Sequence, residues 1–308
     1  MRVSIVTIFF NAEPYLAESI ESVLAQNFRN FELILVDDGS TDGSTAIALA
    51  YADRNKDQIR YLEHRGHVNR GMSASRNVGV SAARGDLIAL MDADDVWRPY
   101  KLSEQIAIID AHPEVAMVCG AARYWKSWMG GEDRMVRSGH VQNVVALAPD
   151  AAIKVYPLGT APAPCPSDLL VRRALVLSLG GFEEHFTGVR QLYEDQGFLI
   201  KVYLAAPVYF ADRHWLDYRV HPESCVASVS ASGHYDSVRR YFLDWLESYV
   251  AELPPGHAVF KALRRAQRRY RHPVRDRLLT LPASAIAKAA RTVRRFASAT
   301  RHIWHVES

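Results

Sequence analysis

Three acids within four positions, Asp92-Ala93-Asp94-Asp95, follow the hydrophobic run that ends in Leu90-Met91. Carboxylates one residue apart at a strand end direct oxygens toward one point. A hard divalent cation such as Mg2+ or Mn2+ takes such oxygens and keeps phosphate oxygens in its remaining positions. Asp94 or Asp95 also reads as a cap for the helix that Pro99 announces, although three acids exceed what a cap needs. A second acidic turn, Asp37-Asp38-Gly39-Ser40-Thr41-Asp42, follows Leu33-Ile34-Leu35-Val36. Gly39 permits a tight turn, and a carboxylate beside it accepts hydrogen bonds from ribose hydroxyls or a base N–H. Thr41 and Asp42 read as turn and cap residues. Glu194-Asp195 opens a helical pattern, where the helix dipole favours carboxylates whether or not they do chemistry. Arg76 suits a phosphate or a surface salt bridge. His221, followed by Pro222, suits a ligand role or a plain strand end.

Positioning these groups falls to alternating elements. Residues 3–9, 31–37, 59–63, 86–91 and 115–121 are short apolar runs rich in β-branched residues, which predicts strands covered on both faces. Between them, 14–26, 44–54, 72–82 and 99–111 carry helical spacing; Leu16, Ile20, Val23 and Leu24 fall on one face of the first. Strand–helix alternation implies βαβ units and a mostly parallel, twisted sheet, with ligands beyond the carboxyl ends of its strands. All the acidic turns lie at that edge. The pattern breaks between Arg123 and Pro166, where Gly130-Gly131 and Ala161-Pro162-Ala163-Pro164 predict irregular loops facing substrate. Regular structure resumes with a strand over 168–171, helices over 173–179 and 194–205, a strand over 215–220 and a helix over 235–253, closed by Pro254-Pro255-Gly256. Gly180-Gly181 reads as a helix stop. Trp97, Trp125 and Trp128 suit sugar stacking or the core.

The chain has 308 residues, 49% hydrophobic and 23% charged, which excludes disorder and fibrous repeats and allows a sizeable core. Three widely spaced cysteines make neither a disulfide framework nor a zinc pattern and point to a reducing compartment. The first residues read as a buried strand rather than a signal peptide, and no apolar stretch reaches 18 residues. The expectation is a cytoplasmic protein. Its net charge of +3 is unevenly spread: from His257 onward there are 13 Lys and Arg against two acids. An acidic body with a basic tail implies different partners for the two parts.

Val6-Thr7-Ile8-Phe9-Phe10-Asn11, then Val36 to Asp42, then the run from Ala74-Ser75-Arg76-Asn77 to Trp97 resemble, in order and spacing, the inverting family-2 glycosyltransferases of GT-A fold. Gly180-Gly181-Phe182, Glu194-Asp195 and Tyr218-Arg219-Val220-His221-Pro222 extend the likeness to roughly residues 3 to 226. The resemblance implies a GT-A domain over 1–253, with a nucleotide-sugar-binding half over 1–121 and an acceptor-side half over 122–253. By position it implies that Thr7, Phe9, Asp38 and Arg76 line the donor nucleotide. Asp92 lies near the ribose as the first acid of the DxD motif, Asp94 binds metal, Asp195 is the catalytic base, and His221 helps hold metal or diphosphate. Phe9 stands where relatives often carry Tyr. The register between Asp94 and Asp95 stays open. The implied reaction transfers a sugar from a nucleoside-diphosphate sugar, a UDP-sugar by preference, to a hydroxyl of lipopolysaccharide, capsule or exopolysaccharide, assisted by Mn2+ or Mg2+.

The tail, 257–308, is expected to be a basic amphipathic helix, with Ile286, Val293, Phe296 and Ile303 in one stripe over 283–304. It suits the inner face of a membrane, or packing on the acidic body or a partner; nucleic acid is disfavoured because no recognised motif accompanies the charge. Two rival functions fit the residues less well. A nucleotidyltransferase needs a glycine-rich phosphate loop where Phe9-Phe10-Asn11-Ala12 stands. A non-catalytic sugar-nucleotide-binding or scaffold protein has no use for a base.

Overall fold

The computed structural model describes residues 1–271. The helix expected over 283–304 lies outside the described residues. The chain divides into a compact unit, Met1–Ala262, and a second, Leu263–Ser308.

Among the described residues ten strands form one sheet: β1 (Val3–Phe9), β2 (Phe31–Asp37), β3 (Ile59–Glu63), β4 (Leu87–Asp92), β5 (Val96–Trp97), β6 (Met117–Trp125), β7 (Arg134–Arg137), β8 (Val144–Ala146), β9 (Leu170–Arg172) and β10 (Val208–Arg219). The helices are α1 (Leu16–Leu24), α2 (Ser44–Arg54), α3 (Met72–Ala82), α4 (Lys101–Ala111), α5 (Asp150–Lys154), α6 (Arg173–Ser178), α7 (Glu194–Ala205), α8 (Cys225–Ala231), α9 (Tyr235–Tyr249) and α10 (Ala258–Arg271). The strand order is β3-β2-β1-β4-β9-β6-β10-β5, with β7 on β6 and β8 on β10.

Strands β3, β2, β1 and β4 are parallel. Every residue of β1 and β2 is buried, as apolar runs between two helical layers require. Val3, Ile5 and Phe9 share a core cluster with Leu16, Ile20 and Val23 of α1. On the other face α3 approaches closely at Gly79, where a Cβ would stand 2.3 Å from Val6 Cγ1. Glycine therefore costs helix propensity here but permits the contact.

Register does the positioning. Phe9 pairs with Asp37 and Ile8 with Asp92, so both acidic turns leave the sheet at one level. The order reverses at β1, and the crevice between neighbouring strand ends is where open α/β sheets take ligands. The second half completes the same sheet: β9 lies antiparallel between β4 and β6, and β10 runs parallel to β6. The region 123–166 is more ordered than its composition predicts. It continues β6 to Trp125 and then forms the edge strands β7 and β8 and the short helix α5. Strand β10 begins at Val208 rather than 215, because register shifts around Phe210 and His214 carry the pairing past a polar interruption.

Candidate active site

The turn after β4 settles which acid is spent on structure. Asp95 is fully buried. Its carboxylate accepts a hydrogen bond from Ser167 Oγ at 2.5 Å and another from the Arg219 amide at 2.9 Å. Burial, reinforced by Asp94 and Asp92, holds its carboxyl well above the ordinary range. Ser167 Oγ also accepts the Asp92 amide hydrogen at 2.9 Å, so one hydroxyl ties both ends of the turn. Asp94 remains 30% exposed, and its Oδ2 lies 2.9 Å from His221 Nε2. Asp94 is thus the acid presented outward.

Arg76 is 2% exposed, so it is no surface residue. From the second turn of α3 it reaches Asp92 Oδ1 at 2.6 Å through Nη2 and Glu194 Oε1 through Nη1, with its Cζ 5.5 Å from the Phe182 ring centre. Its charge is engaged by two carboxylates, and this join brings the start of α7 against the end of β4. Burial raises Glu194 to about 8 against the opposing pull of Arg76. It raises Asp195 to about 6, again opposed by Arg76 and by hydrogen bonds from Gln196, whose amide donates at 2.6 Å. Asp92 is likewise raised, chiefly by burial.

Asp38 accepts the amide hydrogens of Arg70 at 2.7 Å and Gly71 at 3.0 Å, so it braces the loop entering α3. Thr7 and Phe9 lie inside the strand layer at 1% and 3% exposure, Thr7 Oγ1 without a protein partner and Phe9 among core side chains. The ring open at this edge is Phe10, 49% exposed. Sequence reasoning passed over it, although the first residue past a buried strand is free to face the crevice. It also passed over Ser167 and Arg219, whose roles depend on partners more than 70 residues away. Trp97 belongs to the core, while Trp125 and Trp128 flank Arg219. Gly181, at φ 67°, admits Asn77, whose side chain bonds both backbone groups of Phe182.

A divalent ion can be tested against these residues. Among the described residues no three His, Cys, Asp or Glu side chains gather as a metal cage. Asp94 and His221 supply one carboxylate and one imidazole in direct contact, and His221 Nδ1 is buried without a partner. Two donors suit an ion whose remaining positions are filled by phosphate oxygens and water. The pair fits that group.

The family described as Glycosyl transferase family 2 matches residues 4–176, more than half of the chain. EpsE of Bacillus subtilis strain 168 is 42% identical over 117 residues, which are 38% of this chain and 41% of that protein. Among solved structures, S. aureus TarS 1-349 in complex with UDP-GlcNAc superposes with a TM-score of 0.63 at 24% identity, covering 88% of this chain and 72% of that one. The mannosyltransferase PcManGT from Pyrobaculum calidifontis, in complex with GDP-Man and Mn2+, gives 0.53 at 17% identity, covering 98% and 82%. At such identities the two structures show a shared fold.

Proposed function

Because the chain belongs to glycosyl transferase family 2, we propose that it moves a sugar with inversion from a nucleoside-diphosphate sugar, a UDP-sugar, to a hydroxyl of a growing cell-surface glycan. The observation that carries this reading is the buried Arg76 bridge. It joins Asp92 at the donor edge to Glu194, and so sets Asp195 beside the turn that presents Asp94, against which the buried His221 rests.

Asp195 takes the proton of the acceptor hydroxyl as that oxygen bonds to the anomeric carbon. The bond from this carbon to the diphosphate oxygen breaks, and the diphosphate leaves with the electron pair. With its carboxyl held at about 6, Asp195 is ionised at neutral pH yet more basic than an ordinary aspartate. Asp94 and His221 would hold Mn2+ or Mg2+, which would supply neutralisation of the charge on the leaving diphosphate. Phe10 offers its open ring to the base, and Asp38 shapes the loop around it.

Sugar-nucleotide complexes among the structural neighbours, one of them with Mn2+, support testing the donor first. The full chain is titrated with UDP, GDP and dTDP, each with Mn2+ and with EDTA. UDP is expected to bind in a Mn2+-dependent way. Phe10→Ala is expected to weaken it by about 1–3 kcal/mol, the usual worth of base–aromatic stacking. Absence of binding to every nucleotide under both conditions overturns the reading.

A further inference from the structure

We propose that Arg219 is the positioning residue that holds Asp94 and His221 in one register, and hence sets the chain's affinity for a divalent ion. The inference rests on the reading of Asp94 and His221 as the ion's protein donors.

Those two donors come from unrelated places, the turn after β4 and the end of β10. Side chains converging on one ion must be held to within about 0.5 Å, which loose turns do not provide. The two segments are already adjacent, since β5 pairs with β10 through Val96–Asp217 and Trp97–Leu216. Arg219, the last residue of β10, closes the remaining gap. Its amide donates to Asp95 Oδ1 at 2.9 Å, and its Nε donates to the Asp94 carbonyl at 2.7 Å. One residue therefore holds the Asp94 carbonyl and the Asp95 side chain, the main chain of one acid and the carboxylate of the next. Two positions later the same chain delivers His221 to Asp94 Oδ2 at 2.9 Å.

The guanidinium is itself immobilised. It is 4% exposed, and Nη2 pairs with Glu18 on α1. Its Cζ lies 4.4 Å from the ring centre of Trp125, 4.9 Å from that of Trp128 and 5.2 Å from that of Tyr15. Tyr15 also lies 5.2 Å, ring centre to ring centre, from His221. Planar stacking combined with directed N–H bonds is what arginine offers and lysine does not. Arg219→Lys keeps the charge but cannot keep the stack, the Glu18 pair and the Asp94 carbonyl bond together.

Mn2+ is titrated into the full chain at saturating UDP and followed by its electron paramagnetic resonance signal, which reads binding without turnover. Arg219→Lys is expected to raise the Mn2+ dissociation constant by about 10–100-fold, the usual effect of losing a residue that orients a ligand. Glu18→Gln, a change at a half-exposed residue, is expected to raise it severalfold and decides the matter if the lysine variant does not fold. A purely structural role predicts fewer active sites at an unchanged dissociation constant; that result in a folded variant overturns the proposal. Asp94→Asn separates the two ideas. If it loses Mn2+ while Arg219→Lys and Glu18→Gln keep wild-type affinity, only the Arg219 assignment fails. If it binds Mn2+ like the wild type, the donor-pair reading and this inference fall together.

Discussion

At the scale of single residues, the site is a problem of too many acids in too little water. Asp92, Asp95, Glu194 and Asp195 are all held above the ordinary carboxyl range, and burial is the largest cause for each. They differ in what opposes the shift. Asp95 is held by Ser167 and the Arg219 amide, Asp92 and Glu194 by the Arg76 guanidinium, and Asp195 by Arg76 at longer range together with hydrogen bonds from Gln196. Asp95 and Asp195 have no ion-pair partner in contact among the described residues, but Asp95 is fully buried and bonded by Ser167 and the Arg219 amide, whereas Asp195 is bonded by its neighbour Gln196, which leaves its carboxylate available to a hydroxyl proton. Asp195→Asn removes the base without changing shape. It is expected to lower turnover by about 10²–10⁴, the usual worth of a general base, with UDP affinity unchanged. The acidic limb of the kcat/KM profile should follow deprotonation of the wild-type residue: activity rises with pH through about 6 and levels above it. A profile flat between pH 5 and 8, or an asparagine variant with full turnover, removes Asp195 from the role.

At the scale of elements, Arg76 makes α3, β4 and α7 interdependent. Taking away one member of a buried, hydrogen-bonded charge pair costs about 3–5 kcal/mol, because the carboxylates left behind have neither water nor a counter-charge. Arg76→Met should lower the unfolding free energy read from urea denaturation by an amount in that range. Since Arg76 lowers the Asp195 pKa, the same change should also shift the acidic limb upward, so the variant needs a higher pH for half-maximal rate. A purely packing role predicts the first effect without the second. These elements were unequally legible. Strands 3–9 and 31–37 were readable to the residue, because a strand buried on both faces is built mostly from apolar residues, and the half-buried edge strand 59–63 was readable from its β-favouring Ile59, Tyr61 and Leu62. β7 and β8 were not, since exposed edge strands such as Arg134–Arg137 carry no such signal. In the site, the residue types were visible but their state was not. The sequence places Arg76 near acids without disclosing that its partner is 118 residues away. Nor does it say that Asp95, rather than Asp94, is spent inside. That choice is made by Ser167 and Arg219, which reach the turn only through β9 and β10.

At the scale of the whole molecule, charge separates what the fold joins. Up to the Pro254-Pro255-Gly256 break the sequence is net acidic; beyond it, α10 holds six Lys and Arg and no acid. Lys261, Arg264, Arg265 and Arg268 recur at helical spacing and are all exposed, while Val259 and Ala262 are buried. Among the described residues no helix is long and apolar enough to cross a membrane. A basic face on a packed helix suits attachment to an anionic lipid surface, where each Lys or Arg contributes about 1 kcal/mol. An enzyme whose acceptor is lipid-linked gains from such attachment, because acceptor and site then share one surface. The test is sedimentation of the full chain with phosphatidylcholine vesicles, with and without phosphatidylglycerol, at low and high salt. Binding is expected only to the anionic vesicles and to weaken as salt screens the charges. Replacing Lys261, Arg264 and Arg265 by Glu should weaken it by about 3 kcal/mol or more, at least a hundredfold, while nucleotide binding stays intact. Equal binding to neutral and anionic vesicles, binding indifferent to salt, or no binding at all would remove the basic face from this role.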